Sequence, residues 1–275
     1  MPGNANCRSP FPDAVRRLVQ SLVLSLQDVL LLTWQTLRAF PGGRGAGSRL
    51  LAQLDAVGVR SVPIVLLTGL FTGMVLALQA SVQLAPFGAT MFVGRFVAAS
   101  MLRELGPVLS GIMVAGRVGA AVAAELGAMK VTEQLDALET LGAEPVRVLV
   151  LPRVLAAALA VPPLALIADA AGLIGAALVS SAYLGVPISA FRGAAADQIA
   201  LDGFVGGFIP ADLVQGLVKP LIFGLILSVL ACHHGLRARG GTAGVGIATT
   251  NAVVSASITI LIADYFLTQL LLVLV

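Results

Sequence analysis

Charged and aromatic residues are scarce in this chain of 275 residues: Asp, Glu, Lys and Arg make up 11% of it, and Phe, Trp and Tyr 5%. Cysteine and histidine are scarcer still, with Cys7 and Cys232 far apart and His233 next to His234. Two cysteines and two histidines at these positions exclude a disulfide framework and a zinc site with the usual ligand spacing. The adjacent histidines could bind a metal, but we favour the end of a loop at a membrane interface.

Motifs for nucleotide binding and catalysis are missing as well. The chain has no GxxxxGK[ST] sequence, and its glycine-rich stretches at 42–47 and 240–246 lack the lysine and the preceding strand of a P-loop. Nothing resembles a nucleophile elbow or an HExxH motif. The chain alone is therefore not expected to be an enzyme or to hold a cofactor. Its net charge of +3 is small, and no nucleic-acid partner is expected.

Apolar residues fill the chain instead: 58% are hydrophobic and the mean hydropathy is +0.98. A soluble domain of this length could not bury so much apolar surface, so we predict a polytopic membrane protein. The apolar runs are continuous rather than alternating, which excludes a β-barrel and predicts an all-α fold. Five transmembrane helices are predicted, at Val62–Leu84, Gly94–Met129, Val154–Leu184, Gly203–Cys232 and Ile247–Val275.

The N-terminal region, residues 1–60, is predicted to precede a five-span domain at 61–275. Between Asp13 and Phe40 polar and apolar residues occupy opposite faces of a helix, which predicts an amphipathic helix lying in the membrane surface. The polar face is Arg17, Ser21, Ser25, Asp28 and Gln35, and the apolar face is Val15, Leu18, Val19, Leu22, Leu26, Val29 and Leu30. A signal peptide fits less well, because Gln27 and Asp28 interrupt the apolar run and no small-residue cleavage site follows.

Lysine and arginine in the predicted loops lie mainly on one side of the membrane. That side carries Arg8, Arg16, Arg17, Arg38, Arg44, Arg49, Arg60, Lys130, Arg147, Arg153, Arg237 and Arg239, against Arg95 and Arg192 on the other. By the positive-inside rule the N-terminus is cytoplasmic and the C-terminus lies outside.

Small residues recur every four positions in the second span, as Ala115, Gly119, Ala123 and Gly127. The first span has a GxxxG motif at Gly69 and Gly73. Both patterns predict close helix packing, either within the subunit or between two subunits.

Charges inside the spans need partners or water, because an isolated charge at membrane depth is costly. In Arg103-Glu-Leu-Gly-Pro107 the proline predicts a bend in the second span. Glu104 is expected either in a salt bridge with Arg103 or Arg117, or at a polar patch of a substrate cavity. Asp212 and Lys219 are seven apart and are expected to pair. The same question applies to Glu125, Asp169 and Asp264.

The stretch Met129–Arg153, MKVTEQLDALETLGAEPVRVLVLPR, is the dense charged segment of this apolar chain. It predicts a short amphipathic helix at Val131–Leu141, capped by Thr132 and stopped by Gly142. The helix is either a solvated loop helix or a rigid bracket that transmits force from a soluble partner to two spans.

The run Glu104–Arg153 resembles the signature core of the MlaE/YrbE permeases, the membrane subunits of ABC-type lipid transporters that work with MCE-domain proteins. Asp136 precedes Gly142 by six, as in the EAA loop of other ABC permeases, although Pro152 follows that glycine too closely for a strong likeness. The resemblance implies a homodimeric permease in a bacterial inner membrane that moves phospholipid between the inner and outer membranes.

The resemblance also implies partners and sites. A cytoplasmic ATPase would hold ATP and Mg²⁺ and contact the coupling helix, at Glu133, Gln134, Asp136, Leu138, Glu139 and Gly142. A lipid cavity at the dimer interface would be lined by Leu76, Gln79, Arg103, Glu104 and Leu105. A periplasmic ring of MCE proteins and a STAS-domain protein would complete the assembly.

Other functions fit the residues too. An ion-coupled secondary transporter or channel would use the intramembrane acids without a partner. A non-transporting scaffold for the MCE ring would use them only structurally, and a permease of the same family could carry steroids or other hydrophobic compounds.

Overall fold

A computed structural model describes residues 27–36, 38, 46–201, 204–205 and 209–274, and nearly all of these are helical. Within these ranges, five helical segments are long and apolar enough to cross a membrane: Arg49–Phe87, Thr90–Val131, Val146–Tyr183, Asp212–Leu236 and Gly241–Leu271. The predicted all-α polytopic fold is confirmed. Part of the predicted interfacial helix, residues 13–26, lies outside the described residues, as does Cys7.

The first span follows two helices of the N-terminal region. Residues 27–36 form α1, and Ala46–Val57 form α2. A 3₁₀ turn at Val59–Ser61 leads into α3, Val62–Leu84, whose bounds match the predicted span. Pro63 lies in the first turn of α3, where its missing N–H has no helical partner to lose. Two further 3₁₀ turns, Ala85–Phe87 and Thr90–Phe92, connect to the second span.

The second span consists of α4 (Val93–Ser100), α5 (Gly106–Val114) and α6 (Ala120–Val131). Wider π-helical turns separate them, at Met101–Leu105 and Ala115–Gly119. The first of these turns directly precedes Pro107, where the sequence predicts a break in the regular helix. A wider turn relieves the clash between the proline ring and the preceding carbonyl groups, and such turns are frequent at functional sites.

The predicted coupling helix is shorter in the structure, where α7 covers Gln134–Thr140. Val131 still belongs to α6, and the Thr132 hydroxyl donates back to the Ala128 carbonyl at 2.8 Å, so the prediction that Thr132 caps α7 is wrong. Glu133 begins α7 with a left-handed backbone, φ 60°. Gly142, with φ 73°, ends it as predicted, because glycine adopts this conformation without strain.

The third span begins with a π-helical turn at Val146–Val150 and continues as α8, Leu151–Tyr183. A helix that the sequence analysis did not predict, α9, follows at Ile188–Leu201. Phe191, Ala195 and Gln198 are buried on one face of α9 at helical spacing, and this helix packs against α4. The Arg95 Nε donates to the Gln198 side-chain oxygen at 3.0 Å across that contact.

The start of the fourth span differs from the prediction at Gly203. Two short strands, β1 (Phe204–Val205) and β2 (Ile209–Pro210), pair antiparallel there, and α10 then runs from Ala211 to Leu236. The fifth span, α11, runs from Gly241 to Leu274 and so begins before the predicted Ile247. Runs of apolar residues predict the membrane-crossing part of a helix well, but its ends depend on backbone contacts that hydropathy does not contain.

The third span lies at the centre of the bundle. In its most apolar stretch 72% of residues are buried, against 28% for the first span and 22% for the fifth. Helix α8 contacts both α3 and α10, and α10 contacts α6 and α11. Large apolar side chains of α3 and α11, such as Phe71, Val82, Tyr265 and Phe266, are exposed. In a membrane these faces meet lipid or another protein.

Candidate functional site: an ion cluster between three spans

The second span offers a backbone acceptor to another span where its helix is interrupted. Pro107 has no N–H to donate to the carbonyl of Arg103, four residues earlier. The Lys219 ammonium of α10 donates to that carbonyl at 2.7 Å instead. The proline thus creates a buried polar group, and a side chain from another span satisfies it.

Lys219 is fully buried and holds the centre of the cluster. Its nitrogen lies 2.9 Å from Glu104 Oε1, 2.8 Å from the Thr268 hydroxyl and 3.3 Å from Asp264 Oδ1. An ammonium has three hydrogens, and four acceptors surround this one. The two carboxylates share a single cation, so the cluster depends on Lys219 for its charge balance.

Glu104 is the accessible edge of the cluster. Its side chain is 39% exposed, whereas that of Lys219 is 0% exposed. The Thr268 hydroxyl lies 3.1 Å from Glu104 Oε1 and 2.8 Å from the Asp264 carbonyl, and it can donate its one hydrogen to either. Glu104 is therefore accessible from outside the chain, while Lys219, which it shares with Asp264, partly balances its charge.

The expected pairing of Asp212 with Lys219 is wrong. Asp212, fully buried, accepts a hydrogen bond from the Arg103 Nε. Seven residues of α-helix separate Asp212 and Lys219 by about 10.5 Å along the axis, and each meets the second span separately, Asp212 at the Arg103 side chain and Lys219 at Glu104. Arg103 and Glu104, which are adjacent, thus pair separately with two positions of α10.

Arg117 does not contact Glu104 either. It donates to the Ser61 hydroxyl at 2.7 Å and to the Ala56 carbonyl at 3.3 Å, which fixes the second span to the turn before α3. The alternative that Glu104 takes part in a salt bridge describes the structure, but its partner is Lys219 rather than Arg103 or Arg117.

Two further intramembrane acids have different surroundings. Glu125 Oε2 lies 2.8 Å from the Arg153 guanidinium, which is buried at the start of α8. Asp169 of α8 is 2% exposed, and neither carboxyl oxygen has a hydrogen-bond partner within the described part of the chain. It lies directly against the backbone of Gly106, next to the π-helical turn. The carboxyl group of Asp169 thus occupies space that a side chain at position 106 would need.

The residues predicted to line a lipid cavity fall into three places within one subunit. Arg103 and Glu104 face α10 and α11, as described above. Leu76 and Leu105 are partly buried against the same apolar cluster, which includes Val97. Gln79 is exposed on α3. In the described part of the chain these five residues are thus divided between the ion cluster, an apolar cluster and an exposed face of α3.

The residues predicted to contact an ATPase share an exposed surface. Glu133, Gln134, Asp136, Glu139 and Gly142 are exposed, and Leu138 is partly buried. Leu135, 4% exposed, anchors α7 to the rest of the chain. Asp136 Oδ1 lies 3.0 Å from the Lys130 ammonium at the end of α6. The result is an exposed acidic helix that short turns join to the spans on either side.

The small residues predicted to pack helices make contacts within the chain. A Cβ atom on Gly69 would lie 2.4 Å from the Ala168 carbonyl oxygen, and one on Gly73 would lie 2.0 Å from that of Gly172. The ladder of Ala115, Gly119 and Ala123 faces α10: Gly119 lies near Ala231, and Ala123 near Gly235. Helices α3 and α6 therefore approach their neighbours almost backbone to backbone.

Thr268 and the role of Lys219 as a shared counter-ion were not predicted from the sequence. The spacing of Asp264 and Thr268, one helical turn apart, places both on one face of α11 and was a usable signal. Among the described residues, no group of three or more His, Cys, Asp or Glu side chains is placed to hold a metal ion.

The chain is similar to membrane permeases over nearly all of the described spans. The family model "Permease MlaE" matches residues 50–270. A probable ABC transporter permease protein of Rickettsia typhi is 44% identical over 224 residues, which cover 82% of this chain and 83% of that protein. The intermembrane phospholipid transport system permease protein MlaE of Haemophilus influenzae is 36% identical over 222 residues, covering 81% and 82%. The chloroplastic protein TRIGALACTOSYLDIACYLGLYCEROL 1 of Arabidopsis thaliana is 40% identical over 219 residues, covering 80% and 60%.

Proposed function

The chain belongs to the MlaE permease family, and from that premise we propose that it is the membrane subunit of an ATP-driven transporter that moves phospholipids between the inner and outer membranes. The observation that carries the proposal is the 36% identity to a permease named for intermembrane phospholipid transport, which extends over 81% of this chain. As a permease subunit the chain is not itself catalytic. ATP and Mg²⁺ are bound, and ATP is hydrolysed, by a partner ATPase.

The exposed acidic helix α7 supports a docking role toward that ATPase. It is short, it is anchored through Leu135, and the turns at Glu133 and Gly142 connect it directly to the spans on either side. A movement of the ATPase would therefore be transmitted to α6 and α8, because only short turns connect α7 to these helices.

Charge reversal tests this role. The double variant Glu133→Lys/Asp136→Lys should lose the co-purifying ATPase while the membrane domain stays folded. The control is Asp197→Lys, which reverses an exposed acid on α9, far from α7 in the sequence. Retention of the ATPase by the double variant would reject α7 as the docking helix.

The ion cluster supports a lipid-facing role for Glu104. A homodimer would bring two copies of this edge, together with Leu76, Gln79, Arg103 and Leu105, to one cavity. The phospholipid head group would then meet a carboxylate whose charge Lys219 partly balances, next to apolar walls that suit acyl chains. Such a site holds the head group weakly, which favours release.

The variant Glu104→Gln tests that role, since it keeps the shape and removes the charge. Lipid co-purification and ATP-dependent transport should both change, whereas Glu125→Gln, whose pair with Arg153 lies elsewhere, should leave them near the parent level. Unchanged lipid binding and transport in Glu104→Gln would rule the role out.

Orientation follows from the basic residues of the loops: the N-terminus and α7 are placed in the cytoplasm and the C-terminus in the periplasm. A ring of MCE-domain proteins would sit above the permease and a STAS-domain protein would bind the ATPase below. Single cysteines at Thr140 and Arg192, in a chain without Cys7 and Cys232, should react with impermeant reagents from opposite sides. Labelling of both from one side would refute this orientation.

An ion-coupled transporter is the second candidate, because the cluster of Lys219, Glu104 and Asp264 could exchange a proton. Reconstitution with the ATPase and MCE partners separates the two. Labelled phospholipid should move only when ATP is supplied, and movement driven by an ion gradient without ATP would favour the second candidate.

A further inference from the structure

A cavity of about 490 Å³ lies between α1, α10 and α11, away from the ion cluster. Its volume falls within the range of about 300–1,000 Å³ that is typical of small-molecule sites. Most of its wall is apolar, and residues from all three helices contribute: Val29, Thr33, Leu225, Val229, Ser255 and Thr259. A cavity of this composition suits a hydrocarbon chain.

One end of this cavity is polar. His233 and His234 line it, and the His234 Nε2 lies 2.9 Å from the Ser255 hydroxyl. A second cavity of about 230 Å³ shares His234 and is lined by Arg237, Arg239 and Asn251. An apolar chamber therefore adjoins a cationic one, with a histidine side chain in the wall of both.

The two arginines of the second cavity differ in their partners. Arg237 pairs with Asp28 and so ties α1 to the end of α10. Arg239 is exposed, and no carboxylate of the described residues lies within ion-pair distance of it. The cationic chamber thus keeps one arginine whose charge this part of the chain does not balance.

The depth of the apolar chamber matches one leaflet of a bilayer. From Leu225 to His234 the helix rises about 13.5 Å, at about 1.5 Å per residue. Half of a hydrocarbon core of about 30 Å is about 15 Å. The cationic chamber lies at the connection between α10 and α11, where these spans end, so its position is that of the head groups.

We propose that the two chambers together bind one anionic phospholipid from the leaflet on the side of the α10–α11 connection. One acyl chain fills the apolar chamber between α1 and the two spans, and the phosphate lies between Arg239 and Asn251. The site shares no residue with the ion cluster: Thr259, its nearest lining residue along α11, is about 7.5 Å from Asp264 along the helix axis. The bound lipid fills the space between α1 and the spans and stabilises that contact.

Photolabelling tests the proposal with the full-length chain in nanodiscs, together with any partner proteins that purify with it. The probes are phosphatidylglycerol and phosphatidylcholine, each with a diazirine in one acyl chain. Phosphatidylglycerol should label peptides of residues 225–234 and 251–259 about fivefold more strongly, the preference that one exposed arginine gives for an anionic lipid surface. No ATP is added, so the result does not depend on transport activity.

Variants separate the two chambers. Arg239→Gln should reduce the preference for phosphatidylglycerol, whereas Arg192→Gln, on α9, should not. Asn251→Ala should weaken labelling by both lipids, because both carry the phosphate that Asn251 contacts. Thr259→Trp should obstruct the apolar chamber and strongly reduce labelling by both lipids, whereas Leu261→Trp places the same side chain on the exposed face of α11 and should not.

Several results would overturn the proposal. Equal labelling by both lipids, or a preference unaffected by Arg239→Gln, would show that no anionic head group is recognised. Labelling that vanishes in the presence of a bound partner protein would show that a protein segment fills the chambers. Absence of labelling in the parent chain would also reject the site.

Discussion

Loss of the Lys219 ammonium should destabilise the fold more than the loss of any exposed cation. In Lys219→Met the side chain keeps its approximate volume, but Glu104 and Asp264 lose their shared counter-ion. The Arg103 carbonyl also loses its donor, and Pro107 cannot replace it. Two carboxylates and a carbonyl then face one another at a site that excludes most water.

Removing one partner of a buried ion pair costs about 3–5 kcal/mol. Glu104 is partly exposed, so solvent screens part of the remaining repulsion, and we expect the lower end, about 3 kcal/mol off the free energy of unfolding. The triple variant Lys219→Met/Glu104→Gln/Asp264→Asn removes all three charges. It should recover more than half of the loss, because the cost comes from unbalanced carboxylates rather than from a lost attraction.

Cys232 provides the assay. It is a free thiol, fully buried in the fourth span, so a thiol-reactive dye reports unfolding once Cys7 is replaced by serine. The control Arg192→Met removes an exposed cation of α9 and should change the free energy of unfolding by less than about 0.5 kcal/mol. A loss below about 1 kcal/mol in Lys219→Met, or a triple variant no more stable than the single one, would refute this account of the cluster.

Three further substitutions test backbone positions with the same assay. Gly73→Ala should lower the free energy of unfolding by about 1–3 kcal/mol, because its Cβ would lie 2.0 Å from the Gly172 carbonyl oxygen and would force α3 away from α8. An unchanged unfolding temperature would contradict that close contact. Gly106→Ala should lower the free energy of unfolding, because the new Cβ would lie 1.7 Å from the Asp169 carboxyl, and adding Asp169→Ala should restore stability. If the double variant is no more stable than Gly106→Ala, a neighbour other than Asp169 causes the clash. Glu133→Gly should raise the free energy of unfolding by about 1 kcal/mol, since φ 60° strains a residue that has a side chain. A loss of stability would show that the Glu133 side chain makes contacts that outweigh this strain.

The positions of the membrane-crossing helices could be predicted from the sequence because the bilayer imposes a simple rule. A segment that crosses hydrocarbon must be long, apolar and helical, and α3 satisfies this with bounds that hydropathy alone predicts. Gly142 is a second local case, since a left-handed stop needs only glycine and no distant partner. The long run Glu104–Arg153 was enough to indicate the family, which the match over residues 50–270 confirms.

Elements outside that rule were harder to predict. Helix α9 has alternating small, polar and apolar residues, and its helical face becomes evident only when Phe191 and Ala195 are seen against α4. Thr132 has the residue type of an N-cap, but it sits one turn after Ala128, whose carbonyl accepts its hydrogen bond at the end of α6. In each case the residue types allowed more than one local structure, and contacts with a neighbouring helix determined which one formed.

The order of residues alone is enough to predict that the chain crosses the membrane on helices, that an acidic helix interrupts them, and that Arg103 and Glu104 lie near a proline inside a span. Which charges meet depends on how the helices pack. Lys219 pairs with Glu104 and Asp264, whereas the sequence suggested its neighbour on the same helix, Asp212. Spacing along a chain fixes contacts within one or two helical turns. The depth and rotation of whole helices fix the rest, and these follow from close backbone contacts such as that of Gly73 with Gly172.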